Sequence, residues 1–390
     1  MKHVCVLLNG SIINDSRVIK TIKTISKIAE VDLFYVNATD ADKSIFEHNV
    51  LLFNCKQVRS NLTLKIVKHS CFYNEFLFYV DEVLKQKKKY DYIFCNDLPT
   101  LKPGYLLKLK LGSKLIYDSH EIFTGTINQF FPDNATFFKS LVFKSLIWFM
   151  TSMGNRAEKK LVKKADYFIT TSQSFKSYFS KKFNRDDIKI VMNCPSTQEV
   201  LRAYDFRKHF DLKENDFVVL FQGVLNKGRA LFELVEAMKY TSANIKLVFL
   251  GDGMLKPLLQ NKVNNTNMQH KIFFMDRVPS KDLIFYTKGA DAGINLQAPI
   301  NISKKLASAN KLFEYMHANI PIIASDVPEN KLVVEKYNLG YIVENKPTSI
   351  ANAINKMAIS DRSVYIENCK KAATEYNWEN QEKCLLSIFE

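Results

Sequence analysis

Apolar runs of strand length alternate with helix-length stretches along the whole chain. The runs of the first half are HVCVLLN (3–9), VDLFYV (31–36), YDYIFCND (90–97), KLIYDS (114–119), ADYFITTS (165–172) and IKIVMN (188–193). Between the first two, Val18, Ile22, Ile25 and Ile28 recur at the spacing of a helix. Strands that are continuously apolar are buried on both faces, which is typical of a parallel sheet covered by helices.

The second half repeats this pattern. Its runs are FVVLFQG (217–223), IKLVFLG (245–251), KIFFMD (271–276), AGINL (292–296), PIIASD (321–326) and GYIV (340–343). Pro195 and a charged stretch interrupt the alternation over 194–213. The sequence therefore predicts an α/β protein with two doubly wound, Rossmann-like domains that face a central cleft.

Polar residues stand at the ends of several predicted strands. The segment KLIYDSHEIF (114–123) changes from apolar residues to Asp118, Ser119, His120 and Glu121. In open parallel sheets, ligands bind beyond the carboxyl ends of the strands. These polar ends are therefore expected to line a ligand site.

The segment FQGVLNKGRALFELVEAM (221–238) has the features of a phosphate site. A strand ends at Gly223, a loop carries Lys227, Gly228 and Arg229, and a helix is predicted from about Ala230. Glycine allows close approach of an anion, and the two basic side chains suit a diphosphate. The alternative is a basic helix start whose side chains are only solvated.

The segment SANKLFEYMHANIPIIASDVPE (308–329) predicts a helix opened by Asn310, Lys311 and Glu314. Leu312 belongs to its core-facing side, whereas Glu314 projects toward the cleft. A carboxylate there can accept two hydrogen bonds from a ribose diol. The alternative is that Glu314 only stabilises the positive end of the helix.

These pieces resemble retaining, family-four type glycosyltransferases of the GT-B fold (glycosyl transferases group 1). The matching segments are NDSRVIKTIKTISK, YDYIFCND, KLIYDSHEIF, EKKLVKKADYFITTS, KIVMNCP, FQGVLNKGRALFELVEAM, FLGDG, NKLFEYMHANIPIIASD and YNWENQEKCLLSIF. The resemblance covers nearly the whole chain. It implies an N-terminal acceptor domain (1–200), a C-terminal nucleotide-sugar domain (201–375) and a final helix (376–390) that packs back toward the N-terminal domain.

The resemblance also implies roles for residues of the nucleotide-sugar domain. Arg229 and Lys227, beside Gly228, take the place of the basic pair that binds the diphosphate, and Glu314 matches the glutamate that binds ribose. Arg277 and Val278 lie where the base is contacted. Leu306 replaces the first glutamate of the family motif, so backbone amides around Ser308 to Leu312, including Asn310 and Lys311, are expected to hold the sugar.

In the acceptor domain, His120 matches the histidine that ends the fourth strand and points at the donor sugar. The resemblance implies that it hydrogen bonds the sugar and is not a covalent nucleophile. Asp15, Arg17 and Glu121 are candidate acceptor residues in the same region. A structural alternative for Asp15 and Arg17 is an ion pair that caps the first helix.

The expected reaction transfers a sugar, with retention, from a nucleoside diphosphate sugar (UDP favoured) to a hydroxyl of a glycan or lipid-linked acceptor. Such a hexosyl- or N-acetylhexosaminyl-transferase would serve cell-surface polysaccharide synthesis. Neither a cofactor nor a metal is expected. One alternative is a nucleotide-sugar epimerase of the same fold. A remote alternative is a basic nucleic-acid-binding protein, since KQKKKYDY (85–92) carries the positive charge that such a protein needs. It is remote because this segment leads directly into a buried strand.

Charge and cysteine usage indicate the compartment. The formal net charge is +15, which favours a partner of opposite sign such as a phosphorylated ligand or an anionic membrane face, although a lysine-rich solvated surface is an alternative. The seven scattered cysteines lack CxxC spacing and suit a reducing cytosol. The N-terminal apolar run is too short for a signal peptide. We expect a cytoplasmic protein that binds peripherally to the inner membrane face.

The segment ATFFKSLVFKSLIWFMTSMGNRAEKKLVKK (135–164) is unusually apolar at its start and basic at its end. Such a helix is either core or a helix that lies in a membrane interface, where aromatic residues and lysines are combined. The second reading predicts binding to anionic lipid, with an acceptor at that surface.

Overall fold

The computed structural model describes residues 1–12, 15–36, 43–55, 76–131, 137–198 and 202–390. It divides into two compact units. The first comprises Met1–Asn193 together with Gln381–Glu390, and the second comprises Cys194–Asn380. The predicted boundary, between residues 200 and 201, lies a few residues after the observed one, between Asn193 and Cys194. The roles assigned to the two domains stay predictions.

The first unit contains a parallel sheet whose strands are ordered β3-β2-β1-β4-β5-β6-β7. These strands are β1 (Lys2–Leu8), β2 (Ala29–Tyr35), β3 (Val50–Asn54), β4 (Tyr92–Asn96), β5 (Lys114–Ser119), β6 (Tyr167–Thr170) and β7 (Ile188–Ile190). Leu8 is opposite Asn96, and Asn96 is opposite Asp118. The carboxyl ends of β1, β4 and β5 therefore lie side by side in the middle of the sheet.

Helices cover this sheet because their apolar faces repeat at helical spacing. They are α1 (Ser16–Ser26), α2 (Phe78–Leu84), α3 (Asp97–Leu111), α4 (Phe137–Val162) and α5 (Gln173–Phe183). In α1 the predicted stripe of Val18, Ile22 and Ile25 is fully buried. Gly104 of α3 lies so close to β4 that an added Cβ would be 2.1 Å from the sulfur of Cys95, so only glycine fits there.

The second unit contains a parallel sheet ordered β10-β9-β8-β11-β12-β13. Its strands are β8 (Phe217–Gln222), β9 (Ile245–Leu250), β10 (Ile272–Met275), β11 (Ala292–Asn295), β12 (Ile322–Ser325) and β13 (Gly340–Val343). The order reverses between β8 and β11, so ligands are expected beyond the carboxyl ends of these two strands.

The helices of the second unit are α6 (Phe206–His209), α7 (Leu231–Ala237), α8 (Lys256–Asn265), α9 (Leu283–Thr287), α10 (Ile302–Leu306), α11 (Asn310–His317), α12 (Pro328–Tyr337), α13 (Pro347–Ile359) and α14 (Ser363–Glu375). One core cluster joins Phe221 of β8 with Leu234 of α7 and Ile354 of α13. The helix predicted from about Ala230 is confirmed, since α7 begins at Leu231.

A last helix, α15 (Trp378–Leu386), carries the chain from the second unit into the residues that belong to the first. The backbone N–H of Met192 donates to the Gln381 side chain at 2.8 Å, and the ring of Phe389 packs on Tyr92 with centroids 4.9 Å apart. Lys2 donates to the carbonyl of Phe389. Residues 381–390 therefore complete the first unit.

The predicted strands are confirmed to within a few residues, with one omission. The chain also forms β3, which lies at the edge of its sheet and leaves Leu51 45% exposed. His120 consequently follows the fifth strand along the chain, so its assignment to the fourth strand was wrong. Among the described residues, no helix is both long and apolar enough to cross a membrane.

Candidate functional site

The predicted polar edge of the first sheet exists, and its centre is a buried ion pair. Arg17 of α1 donates from Nη2 to both carboxylate oxygens of Asp118, at 2.8 and 3.0 Å, and from Nη1 to the carbonyl of Val191. Arg17 is 4% exposed and Asp118 is 1% exposed. Arg17, predicted as an acceptor residue, therefore lies beneath the surface and holds Asp118 instead.

His120 sits on this pair at the end of β5. Its Nε2 lies 3.0 Å from Asp118, and its Nδ1 lies 3.6 Å from the carboxylate of Asp97. Burial alone would lower the pKa of His120, but the negative charges of Asp118 and Asp97 outweigh it and raise the pKa to about 9. The ring is therefore an imidazolium at neutral pH.

Asp118 keeps its charge in this environment. Burial alone would raise the pKa of Asp118, but the positive charges of Arg17 and His120 outweigh it and lower the pKa to about 2. One carboxylate thus faces two cations. Asp97 adds a second carboxylate beside His120, so the group consists of two cations and two carboxylates.

Asp97 is the member of this group that sequence reasoning gave no role. It opens α3 with φ of 60°, in the left-handed region, and its carboxylate accepts the backbone N–H of His120 at 2.8 Å. Its side chain is 25% exposed. Burial raises the pKa of Asp97, and the charge of His120 opposes that rise. Asp97 therefore fixes both the backbone and the ring of His120.

The other two residues predicted near the acceptor lie around this group. Asp15 caps α1 by accepting the backbone N–H of Val18 at 3.0 Å, as the structural alternative predicted, although the ion partner of Arg17 is Asp118 rather than Asp15. Glu121 is half-buried, and its carbonyl accepts the hydroxyl of Ser119 at 2.9 Å.

In the second unit, the loop between β8 and α7 turns tightly and carries two basic side chains. Gly223 and Gly228 have φ of 110° and 83°, and Ala230 has φ of 44°. The carbonyl of Gly228 accepts the N–H of Ala298 at 3.0 Å. Lys227 is exposed and Arg229 is half-buried. Burial lowers the pKa of Arg229, and the negative charge of Glu314 opposes that effect.

Glu314 of α11 is held at the end of β8. Its Oε2 accepts the side-chain amide of Gln222 at 2.6 Å, and the Gln222 carbonyl in turn accepts the hydroxyl of Thr287 at 2.8 Å. Because the amide is oriented by Thr287, it presents its N–H₂ group to Glu314. The half-buried carboxylate keeps further acceptor capacity.

The helix that carries Glu314 is locked onto the sheet by Tyr315. The Tyr315 hydroxyl donates toward the carbonyls of Leu220 and Ile294, at 3.1 and 3.2 Å, and accepts the N–H of Gln222 at 3.2 Å. Its ring lies on Gly293, where an added Cβ would be 2.3 Å from the ring. The position of α11 therefore depends on a glycine of β11.

Lys311 lies on the same helix and is buried. Its Nζ stands 3.7 Å from the centre of the Phe221 ring, and it forms no hydrogen bond with the described part of the chain. Phe221 is the residue before Gln222 at the end of β8. Glu314 and Lys311 thus converge from α11 on the end of one strand, and the charge of Arg229 acts on both Lys311 and Glu314.

The remaining predicted residues surround this edge. Asn310 is exposed at the first position of α11, Leu312 is fully buried in the core, and Leu306 is the last residue of α10. Arg277 is exposed and Val278 is half-buried in the segment after β10. Among the described residues, no group of three or more His, Cys, Asp or Glu side chains could hold a metal ion. A metal-free reaction stays a prediction.

Two parallel sheets with polar, charged carboxyl edges are an arrangement that binds ligands at those edges in α/β proteins. Residues 204–376 match the family Glycosyl transferases group 1. Two uncharacterized glycosyltransferases of Methanocaldococcus jannaschii are similar: one is 23% identical, over 83% of this chain and 82% of that protein, and the other is 26% identical, over 60% of each. The chain is therefore similar to glycosyltransferases over most of its length, and its second unit matches the group 1 family.

Solved structures agree with this fold. Sucrose-phosphate synthase from Thermosynechococcus elongatus has a TM-score of 0.75 at 16% identity, covering 100% of this chain and 98% of that one. Anabaena HepE, solved in complex with UDP, has a TM-score of 0.72 at 16% identity, covering 100% and 99%. WaaG, a glycosyltransferase of lipopolysaccharide biosynthesis, has 0.69 at 12%, covering 99% and 98%. The predicted GT-B fold is confirmed.

Proposed function

We propose that the protein transfers a sugar, with retention, from a nucleoside diphosphate sugar, with UDP favoured, to a hydroxyl of a glycan or lipid-linked acceptor. The observation that carries this proposal is the convergence of Arg229, Lys311 and Glu314 on the end of β8, where cations for a diphosphate stand beside an acceptor for ribose. HepE, a structural neighbour, has been solved in complex with UDP and with UDP-glucose, which supports the choice of nucleotide.

In this proposal the second unit binds the donor. Arg229 and Lys227 neutralise the diphosphate, which comes close to the backbone at Gly228. Glu314 accepts hydrogen bonds from the ribose, while the segment of Arg277 and Val278 contacts the base. Backbone amides near Asn310, Lys311 and Leu312 hold the sugar in place of the missing glutamate at Leu306.

His120 is proposed to donate a hydrogen bond to the sugar and to stabilise charge that develops during transfer. As an imidazolium whose Nε2–H is held by Asp118 at 3.0 Å, it is a poor base and a poor nucleophile, which suits a reaction without a covalent intermediate. Its Nδ1 lies 3.6 Å from Asp97, beyond hydrogen-bond distance, so the Nδ1–H is the proposed donor to the sugar. The departing diphosphate oxygen would itself accept the proton of the incoming hydroxyl on the same face. Asp15 and Glu121 are candidates to contact the acceptor.

A thermal-shift screen over UDP, GDP, ADP and their sugars tests the donor site. We expect the melting temperature to rise with one nucleoside diphosphate and its sugars, because a ligand of the folded state stabilises it. Turnover of the sugar nucleotide would then be followed with and without glycan acceptors. Release of an epimerised sugar without an acceptor would support the epimerase instead, and the absence of any nucleotide effect would contradict the proposal.

We also propose that α4 binds an anionic membrane surface, which would bring the enzyme to a lipid-linked acceptor. Leu141, Val142 and Trp148 are 59%, 56% and 72% exposed, and no residue from 139 to 150 is buried. Leu141 and Trp148 are seven residues apart, as are Val142 and Phe149, so these four share one face.

The same helix continues with a basic end. Exposed basic residues follow the apolar face at Arg156, Lys159, Lys160, Lys163 and Lys164. In a helix that lies in a membrane interface, aromatic residues enter the interface and cations lie at the level of the headgroups. This segment has both kinds of residue. Each well-placed Lys or Arg adds about 1 kcal/mol of attraction to anionic lipid. WaaG, a structural neighbour, is a glycosyltransferase involved in lipopolysaccharide biosynthesis, which favours a surface glycan as acceptor here.

The tryptophans allow a direct test. The chain has two, Trp148 at 72% exposure and Trp378 at 6%. We expect Trp emission to shift to shorter wavelength with phosphatidylglycerol vesicles and not with neutral vesicles, and the shift to disappear in Trp148→Ser. Ile359→Ser, which removes an apolar residue of α13 that is 87% exposed, is the control. It should bind the vesicles in a flotation assay as the wild type does. Failure to bind anionic vesicles at low salt would favour a soluble acceptor.

A further inference from the structure

Lys311 differs from the other basic residues of the donor site because its terminal nitrogen is buried before any ligand arrives. The residue is 5% exposed, and its Nζ forms no hydrogen bond with the described residues. The Phe221 ring, whose centre is 3.7 Å away, is the contact that Nζ does make. An aromatic face attracts a cation but does not replace the hydrogen bonds that water would supply.

The charges around Lys311 are unbalanced. Arg229, from the loop before α7, repels the ammonium, and Glu314, on the next turn of α11, attracts it. The Tyr315 hydroxyl is neutral, since burial raises its pKa. Burial first, and then Arg229, lower the pKa of Lys311 well below its ordinary value, and Glu314 offsets only part of this.

We propose that Lys311 takes up a proton from solvent when a nucleoside diphosphate binds beside Arg229, so that donor binding is linked to protonation. This inference rests on the proposed function and deepens it. A diphosphate brings at least two negative charges to the cations at the end of β8, and this charge favours the ammonium over the amine. The amine of the empty site becomes a cation of the occupied site.

Two consequences follow for the donor site. Affinity for a nucleoside diphosphate decreases as the pH rises, by up to tenfold for each pH unit, because one proton is bound with the ligand. In the empty site, Arg229 faces a neutral neighbour rather than a second cation. The repulsion that a permanently charged pair would suffer without ligand is therefore avoided.

Calorimetry tests the linkage. The nucleoside diphosphate that binds tightest among UDP, GDP and ADP is titrated at about pH 8.5, where its terminal phosphate is already fully ionised. Buffers of different ionisation enthalpy then report the protons exchanged. We expect the wild type to take up a measurable fraction of one proton and Lys311→Met to take up none. Lys305→Met, which changes an exposed lysine of α10, should behave as the wild type.

The outcomes separate this inference from the function on which it rests. Binding without proton uptake in the wild type, or equal uptake in Lys311→Met, would overturn the inference and leave the donor site intact. Absence of binding by all three nucleotides would overturn the donor site itself. If Lys311→Met does not fold, the wild-type measurement can still overturn the inference, because absence of proton uptake needs no variant.

Discussion

The guanidinium of Arg17 donates from one nitrogen to both carboxylate oxygens of Asp118, at 2.8 and 3.0 Å, across 101 residues of sequence. Both side chains are almost fully buried. Removing one partner of such a pair leaves an uncompensated buried charge, which costs more than the pair contributes. The pair therefore holds α1 and β5 together beneath His120.

Arg17→Met should lower the free energy of unfolding by about 3–5 kcal/mol, because the buried Asp118 loses one of its two cations and both hydrogen bonds from Arg17. Urea denaturation near neutral pH measures this. Adding Asp118→Asn to Arg17→Met should restore part of the loss. Lys331→Met, which breaks an exposed pair with Glu335 at 3.9 Å, should cost under about 1 kcal/mol. A cost in Arg17→Met no larger than this would show that Asp118 is not buried as an anion.

The pH dependence of stability should report His120 and Asp118 separately. The raised pKa of His120 contributes stability that is complete below its ordinary value of 6.5 and is lost as the pH rises through about 9. The lowered pKa of Asp118 contributes stability that is complete above 3.8 and is lost as the pH falls through about 2. The difference in unfolding free energy between wild type and His120→Asn should therefore shrink between about pH 7 and about pH 10.

Arg229→Ala should weaken nucleoside diphosphate binding at least tenfold, because charge-assisted hydrogen bonds worth about 1.5–3 kcal/mol each are removed. Calorimetric titration measures the affinity, and circular dichroism checks the fold. Arg202→Ala, at an exposed position of the same unit, is the matched control and should bind as the wild type does. Unchanged affinity in Arg229→Ala would remove Arg229 from the diphosphate site.

Glu314→Gln should decrease nucleotide affinity and turnover together. The substitution keeps the shape of the side chain but turns one acceptor oxygen into a donor, which also meets the N–H₂ group of Gln222 at 2.6 Å unfavourably. Glu335→Gln on α12 is the control. If deoxyribose and ribose nucleotides bound the wild type equally well, a contact between Glu314 and the ribose diol would be excluded.

His120→Ala should decrease kcat far more than it weakens nucleoside diphosphate binding, because His120 is proposed to contact the sugar and not the nucleotide. Single-turnover kinetics and product titration separate the two effects. His48→Ala, at an exposed histidine of the same unit, should leave both unchanged. Full turnover in His120→Ala would make His120 a structural residue only.

Much of the fold could be predicted because the buried strands are continuously apolar. The strand β3 was missed because it lies at a sheet edge, where its residues are partly exposed and its apolar run is short. The loop of Lys227 and Arg229 and the helix of Glu314 could be predicted because glycine, charge and helical spacing act locally in the sequence.

The contacts that define the two charged edges could not be predicted. Arg17 and Asp118 meet only because α1 packs against the sheet, and a single sequence gives no signal for that pairing. Asp97 and Gln222 stand at strand ends, as other predicted residues do, but their partners come from distant elements. Burial of Lys311 is likewise a result of packing, since a lysine in the first turn of a helix is usually solvated.

The return of residues 381–390 to the first unit affects how the chain is made. A ribosome adds roughly 5–20 residues per second, so the whole second unit, from Cys194 to Asn380, takes on the order of 10 s or more to synthesise. During that time the first unit has emerged without the partners that Gln381 gives Met192 and Phe389 gives Tyr92. Its completion therefore waits until the second unit has been synthesised. Chaperones that shelter nascent chains would meet an unfinished first unit throughout that time.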